Sequence, residues 1–306
     1  IDVNREEATV EPGCYYRDFE KATLSFDAIL PSYTASKELC TVGGMVSNNS
    51  AGEKTIKFGK TDRYVKKLKV IFTDGNLYEI SPLSLSALDA KTKEHTFEGS
   101  LYQKIYTLIQ QHEEKIKAAK PHVSKNSAGY ALWDIWNKET QTFDLCKLIT
   151  GSQGTLGIIT EITFNLVPIE KEANVIAIFM PTLQNLGEIV NDIVKLKPDS
   201  FESYDDYSMK LAVRFFFDFF KYLGFKQTVK LGLSFLPEAW MIVSGGIPKL
   251  TLLVEFSGNN KELVRTQLEK VKKIAKENNG NEAIVEKVYR AMIDAFINRE
   301  MKEFKE

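Results

Sequence analysis

The chain has 306 residues, of which 43% are hydrophobic and 26% are charged. This length predicts two domains, and the ordinary globular composition excludes a mostly disordered or coiled-coil protein. The 40 basic and 41 acidic residues leave a net charge of −1. This balance does not favour a nucleic-acid partner, because proteins that bind nucleic acids usually carry a basic excess.

The residue types that form disulfides and metal sites are scarce. The three cysteines lie far apart without a CxxC pair, and the three histidines have neither HxxxH nor HExxH spacing. We therefore expect no metal site and a reducing, cytoplasmic location. No run of about 18 apolar residues predicts a membrane-spanning helix. Peripheral association with the inner face of the membrane remains an open alternative.

The first half of the chain is predicted to contain short strands separated by glycine turns. Thr9-Val10 predicts a strand that ends at a Pro-Gly turn, and residues 65–72 and 77–80 flank Asp74-Gly75 as the two strands of a hairpin. Residues 101–119 have helical spacing. Two further strands are predicted on either side of a glycine loop, at residues 145–149 and 158–167.

Polar residues interrupt the apolar pattern at 168–173, so we expect domains at residues 1–169 and 170–306. Beyond this boundary, strands alternate with helices, which predicts an α+β domain. The predicted strands are residues 175–179, 201–206 and 250–256, and the predicted helices are residues 183–193, 211–225 and 264–275. The aromatic run 211–225 is interpreted as a helix buried on most sides, with a docking surface for a membrane or an electron-transfer partner as the alternative.

Two glycine-rich loops are the strongest candidates for a binding site. They are residues 40–52, CTVGGMVSNNSAG, and residues 151–160, GSQGTLGIIT. Glycine lets the backbone approach a ligand closely, so such loops suit a phosphate, a ribityl chain or a flat ring. Two tight turns with close strand packing are the alternative interpretation. The sequence has neither the GxGxxG motif of a Rossmann fold nor a P-loop motif.

Five motifs occur in order: VEPG (10–13), CTVGG (40–44), FGKT (58–61), KNSAGY (125–130) and the GSQGTLGIIT loop. This order resembles the FAD-linked oxidase family of the p-cresol methylhydroxylase and vanillyl-alcohol oxidase superfamily. The most similar branch is that of D-lactate dehydrogenase and the FAD subunit of glycolate oxidase. The resemblance implies an α+β fold, with a PCMH-type FAD-binding domain followed by an α+β ferredoxin-like cap domain.

The resemblance also implies which residues contact FAD. They belong to the two glycine loops or closely precede the first: Ser36, Thr41, Gly43, Gly44, Ser47, Asn48, Gly52, Gly151, Gly154, Gly157, Ile158 and Ile159. Residues 125–130 either shape the flavin pocket or form a structural turn. The family's pyrophosphate loop precedes VEPG, and its metal-binding His-rich segment comes late in the chain. Neither is present in these 306 residues, so we expect a chain that is truncated at both ends.

The implied activity is oxidation of a small 2-hydroxy acid, of the D-lactate or glycolate type, by hydride transfer to the flavin. Arg299 lies where the family has the arginine that binds the substrate carboxylate, and a guanidinium matches a carboxylate with two hydrogen bonds. A solvated helix arginine is the alternative. Electrons would pass to a quinone, an electron-transfer flavoprotein or an iron–sulfur partner. The other functions that remain open are oxidation of a sugar lactone or alditol, and a non-catalytic flavin-fold subunit.

Overall fold

A computed structural model of the chain describes residues 1–123, 125–214, 247–278 and 281–285. Contacts between residues divide the chain into two compact units, Ile1–Ile169 and Glu170–Glu306. Each unit has its own sheet and its own hydrophobic core. The two units are therefore described in turn.

The first unit is built on a four-stranded antiparallel sheet. Its strands are β1 (Glu7–Val10), β3 (Val65–Ile71), β4 (Leu77–Ile80) and β8 (Ile158–Asn165), in the spatial order β1-β8-β3-β4. Strands distant in sequence therefore lie side by side, and the glycine loop at 151–157 leads directly into one of the two central strands. The sheet fixes where that loop begins and ends.

The predicted hairpin is confirmed, since β3 and β4 pair in antiparallel register with Ile71 opposite Leu77. Gly75 turns the chain with a φ of +80°, a conformation that side chains rarely adopt. The alternation of apolar and basic residues along β3 places Leu68 and Val70 in the core. Its lysines face outward, where Lys69 pairs with Glu161.

Helices and short strands surround this sheet. The helices of the first unit are α1 (Tyr16–Leu24), α2 (Val42–Ser47), α3 (Thr55–Phe58), α4 (Leu85–Thr92), α5 (Phe97–Gln111), α6 (Glu113–Ala118) and α7 (Cys146–Ile149). The short strands are β2 (Ala28–Ile29), β5 (Leu83–Ser84), β6 (Trp136–Asn137), β7 (Thr142–Phe143) and β9 (Val167–Pro168). Single turns of 3₁₀-helix occupy Thr61–Arg63 and Leu132–Asp134. The core includes Tyr16, Leu68, Ile162 and Phe164, all with no exposed surface.

Two of the sequence predictions in this unit need correction. The single helix expected at 101–119 is two helices, because the backbone leaves helical geometry at His112, where φ is −120° and ψ is 19°. The strand expected at 145–149 is wrong, since Cys146–Ile149 is a helical turn. The Asp144 carboxylate accepts a hydrogen bond from the Cys146 N–H at 2.9 Å, and this local bond favours the turn over an extended strand.

In its described residues, the second unit follows a βαββαβ order with one further helix between the second and third strands. Its strands are β10 (Glu172–Met180), β11 (Ser200–Asp205), β12 (Leu250–Gly258) and β13 (Asn281–Val285), and its helices are α8 (Leu186–Lys195), α9 (Asp206–Arg214) and α10 (Lys261–Glu277). The antiparallel sheet has the order β11-β12-β10-β13. Numbered along the chain, this is the 2-3-1-4 arrangement of a ferredoxin-like fold. The predicted ferredoxin-like architecture is confirmed.

The core of the second unit lies between this sheet and two helices. Alternate residues of β10, Ile176 and Ile178, are fully buried together with Ile189 and Ile193 of α8. The helical spacing predicted for residues 264–275 is confirmed, because α10 buries one face through Val264, Leu268, Val271 and Ala275. Of the predicted aromatic helix, α9 covers the part up to Arg214, and the remainder lies outside the described residues. In the described parts of the chain, no helix is long and apolar enough to cross a membrane.

Candidate functional site

Helix α2 begins within the first glycine loop, and the loop is hydrogen-bonded to the VEPG turn. Thr41 is the N-cap of α2, and its hydroxyl accepts a hydrogen bond from the Gly44 N–H at 3.2 Å. The Gly43 N–H donates to the carbonyl of Pro12 at 2.9 Å. These two bonds fix the backbone of the loop from both sides.

The second glycine loop lies directly against the first. The Gly151 N–H donates to the carbonyl of Val46 at 2.9 Å, and the Gln153 N–H donates to the carbonyl of Ser47 at 2.8 Å. Gly151 and Gly154 have φ values of +90° and +75°, which favour glycine at both turns. Two loops that are distant in sequence therefore form one surface.

Residues 125–130 contact both loops. The hydroxyl of Ser127 donates to the carbonyl of Asn49 at 2.9 Å, and the hydroxyls of Tyr130 and Thr155 lie 2.8 Å apart. The KNSAGY motif is thus placed beside both glycine loops. Its hydrogen bonds make it a structural support, whether or not it also contacts a ligand.

The FGKT motif supports the same surface from another side. The Thr61 N–H donates to the carbonyl of Ser50 at 3.0 Å, and the Thr61 hydroxyl donates to the same carbonyl at 2.8 Å. The ammonium group of Lys60 donates to the carbonyl of Asn126 at 2.7 Å. All five motifs recognised in the sequence are therefore joined by hydrogen bonds in the folded unit.

Glycines in the two loops serve different purposes. At Gly43, Gly52 and Gly157 an added Cβ atom would lie 2.4, 1.8 and 2.6 Å from neighbouring protein atoms. Those atoms belong to Pro12, Tyr33 and Val70. Close packing of the protein alone thus requires these three glycines. The interpretation of the loops as tightly packed turns holds for them.

Gly44 and Gly154 are less crowded by protein atoms. An added Cβ at Gly44 would meet only the hydroxyl of its own N-cap, at 3.3 Å, and one at Gly154 would meet no atom within 4 Å. Both residues are exposed. Nearby positions of the same segments carry exposed apolar side chains, since Leu39 is 76% and Ile158 is 66% exposed. Exposed apolar side chains in these segments are available to contact a bound ring system.

The remaining predicted residues are spread over the same segments. Ser36 and Asn48 are exposed, and Ile159 is half-buried in β8. The hydroxyl of Ser36 lies 2.9 Å from that of Thr34. Arg299, the predicted carboxylate anchor, lies outside the described residues.

Burial raises the pKa values of two ionisable groups that precede the second loop. Desolvation raises the pKa of the Cys146 thiol well above its ordinary value, so this residue is a neutral thiol. Desolvation also raises the pKa of the Asp144 carboxyl, and the ammonium group of Lys147 partly offsets this effect. Lys147 also donates a hydrogen bond to the carbonyl of Asp62. In the described residues, no group of three or more His, Cys, Asp or Glu side chains could hold a metal ion.

Sequence reasoning missed one residue of this site, Asn49. The residues that the resemblance assigns to FAD do not include it. In the structure it is 3% exposed and has a φ of +45°. Its side-chain oxygen accepts a hydrogen bond from the Asp62 N–H at 3.0 Å. The preference of asparagine for left-handed backbone is the only signal in a single sequence that could have indicated its role.

Comparison with known proteins finds an FAD binding domain and distant relatives. Residues 1–81 match a protein family described as FAD binding domain. The chain is 25% identical over 214 residues to a D-2-hydroxyglutarate dehydrogenase of Pantoea ananatis, covering 69% of this chain and 21% of that protein. It is 26% identical over 207 residues to the glycolate oxidase subunit GlcD of Bacillus subtilis, covering 67% and 33%. Residues 1–81 therefore belong to an FAD binding domain, and the chain as a whole is similar to these two proteins.

Solved structures agree with this fold. An alkyldihydroxyacetonephosphate synthase matches 99% of this chain and 44% of its own, with a TM-score of 0.63 and 15% identity. p-Cresol methylhydroxylase matches 93% of this chain and 46% of its own, with a TM-score of 0.53 and 13% identity. The predicted PCMH-type fold is confirmed. The chain spans about a fifth of the length of the D-2-hydroxyglutarate dehydrogenases that it matches.

The surface formed by the two loops fits FAD, the cofactor that the matched domain binds. Gly44 and Gly154 leave space above the backbone, and Leu39 and Ile158 offer apolar contact to a flat ring. Hydroxyl groups at Thr41 and neighbouring residues can contact the polar parts of the cofactor. The chemistry of the loops therefore matches a large ligand with a ring system and a polar chain.

Proposed function

We propose that the protein is an FAD-dependent oxidoreductase that oxidises a small 2-hydroxy acid, and that the two glycine loops hold its flavin. The observation that carries this proposal is the direct hydrogen bonding between the loops, from Gly151 to Val46 and from Gln153 to Ser47. It gives two segments of an FAD-linked oxidase one shared surface. Open space at Gly44 and Gly154 supports the same assignment.

The names of the relatives support the substrate class. D-2-Hydroxyglutarate and glycolate both carry a hydroxyl group on the carbon next to a carboxylate. Such a substrate needs a cation to bind the carboxylate and a fixed orientation of the carbon that loses hydride. We assign the cation to Arg299. The choice among D-lactate, glycolate and D-2-hydroxyglutarate is left to the experiment below.

Each part of the chain has a defined task in this proposal. FAD supplies the acceptor of the substrate hydride. The loops at 40–52 and 151–160 bind the cofactor and fix its orientation relative to the substrate. Electrons then leave to a second acceptor, which we propose to be a quinone, an electron-transfer flavoprotein or an iron–sulfur partner. The three free cysteines agree with a reducing, cytoplasmic setting.

Anaerobic flavin reduction tests the proposed activity. The full-length protein with bound FAD is mixed with D-lactate, glycolate or D-2-hydroxyglutarate, and the visible absorbance of the flavin is followed. We expect at least one of these acids to bleach the flavin, while an alditol and a sugar lactone leave it oxidised. Bleaching only by the alditol or the lactone would favour another alcohol as substrate. Bound flavin that no compound bleaches would favour a non-catalytic subunit.

A further inference from the structure

Asn49 is the point at which three other segments meet the first glycine loop. Its side-chain oxygen accepts from the Asp62 N–H at 3.0 Å, and its carbonyl accepts from the Ser127 hydroxyl at 2.9 Å. Its Cβ atom lies 3.2 Å from the position that a Cβ atom of Gly151 would occupy. The residue is thus hydrogen-bonded to the 61–63 turn and the 125–130 segment, and it lies close to the second glycine loop.

The backbone at Asn49 turns in a way that few residues allow. Its φ of +45° is left-handed, and its N–H donates to the carbonyl of Val46 at 3.0 Å. The same Val46 carbonyl accepts the N–H of Gly151. A change in the backbone at Asn49 would therefore move the carbonyl group that holds the second loop. Asparagine and glycine are the residues that best tolerate this conformation.

We propose that Asn49 is a positioning residue for the flavin site. It holds the first loop, the second loop and the 125–130 segment in the relative arrangement that binds FAD, without needing to contact the cofactor. This inference rests on the proposed assignment of the two loops to FAD. It adds a residue that the resemblance to the family did not assign.

The substitution that tests this role is Asn49→Gly in the full-length protein. Glycine keeps the left-handed backbone but removes the amide, so the buried Asp62 N–H loses its acceptor. The control is Thr23→Ala, which removes the bond from the fully buried Thr23 hydroxyl to the carbonyl of Glu20 in α1. The control also removes one buried hydrogen bond from the first unit, but it changes neither glycine loop.

Two measurements are made on each variant. The first is the dissociation constant of FAD by fluorescence titration, and the second is hydrogen exchange at the amides of Gly151 and Gln153 without FAD. For Asn49→Gly we expect the dissociation constant to rise at least about tenfold, a change of the size expected when one buried N–H loses its partner. We also expect faster exchange at both amides, with no change at core amides of β3. Thr23→Ala should leave FAD affinity within about threefold and both amides protected.

The outcomes separate this inference from the loop assignment on which it rests. FAD binding and amide protection at the wild-type level in Asn49→Gly would overturn the positioning role, while loss of flavin in a Gly44→Val variant would still support the loop assignment. Faster exchange throughout the first unit would also overturn it, because it would show a general loss of stability. Normal FAD binding by a folded Gly44→Val variant would overturn the loop assignment and this inference with it.

Discussion

We expect position 44 to tolerate a side chain in the protein alone, but not when a flavin is bound against it. It is the third residue of α2, it is exposed, and its N–H donates to the Thr41 hydroxyl. An added Cβ atom there would meet only that hydroxyl, at 3.3 Å, so a side chain fits if the Thr41 side chain shifts by a few tenths of an ångström. A bound flavin that packs on this face would leave no such room. We therefore expect Gly44→Val to fold and to lose FAD.

Gly44→Val should have a small effect on stability and a larger effect on FAD affinity. Valine has a helix propensity a few tenths of a kcal/mol better than glycine, so the fold should be unaffected or slightly more stable. Forcing extra methyl groups into a packed contact with FAD typically costs about 1–3 kcal/mol. That range corresponds to a dissociation constant about 5- to 150-fold higher. Gly44→Val should thus change FAD affinity far more than stability.

Two control variants test whether weaker FAD binding comes from the position of Gly44 and not from the substitution itself. Gly187 lies in the first turn of α8, and an added Cβ there would meet no atom within 4 Å. Gly187→Val therefore makes the same substitution on a helix without a predicted ligand, and it should keep full FAD affinity. Gly43→Ala should do the reverse, because its Cβ would lie 2.4 Å from the Cβ of Pro12. Overpacking of about 1–3 kcal/mol would lower the melting temperature by about 2–12 °C.

The assay measures affinity and stability on the same samples. FAD is titrated into each full-length variant by fluorescence, and thermal unfolding without FAD is followed by circular dichroism. The reasoning predicts weak FAD binding with normal melting for Gly44→Val, and normal values of both for Gly187→Val. Gly44→Val with unchanged FAD affinity and a normal melting temperature would refute the assignment of this loop to the cofactor.

Two further predictions concern the proposed carboxylate anchor and a buried acid. Arg299→Lys in the full-length protein should keep FAD but lower kcat/KM for 2-hydroxy acids at least about thirtyfold, because losing a buried charge partner costs about 2–5 kcal/mol; unchanged kinetics would return Arg299 to a solvated helix. Burial raises the pKa of the Asp144 carboxyl, so the folded state binds more protons than the unfolded state at pH values between the unfolded pKa and this raised pKa. Relative to Asp144→Asn, wild-type stability in urea should therefore increase as the pH falls through this raised pKa, and a decrease would contradict the burial argument.

The sequence predicted elements where a local pattern and tertiary packing agree. Asp74-Gly75 needs a tight turn, and its flanking residues alternate between core and solvent, so the hairpin was predictable. The apolar spacing of Val264 to Ala275 likewise indicated the buried face of α10. Residues 145–149 were misassigned because a short apolar run fits a strand or a buried helical turn equally well. The bond from Cys146 to Asp144 decides between them, and periodicity does not report it.

The candidate site was predicted in its segments but not in its internal structure. The motif order located both glycine loops, yet it did not distinguish Gly43, which packs on Pro12, from Gly44, which is open. Nor did it indicate that Asn49 joins three segments, since its partners Asp62 and Ser127 are distant in sequence. Such distinctions depend on which backbone atoms approach each other in three dimensions. A single sequence contains no record of these distances.

Amide hydrogen exchange with and without FAD tests the central claim most directly, because it reports which backbone groups the cofactor covers. The full-length protein is exchanged in both states, and peptides from the two units are compared. The account predicts that FAD slows exchange at residues 36–52 and 151–159 and leaves α10 unchanged. Exchange that is unaltered in both glycine loops while FAD is demonstrably bound would contradict it.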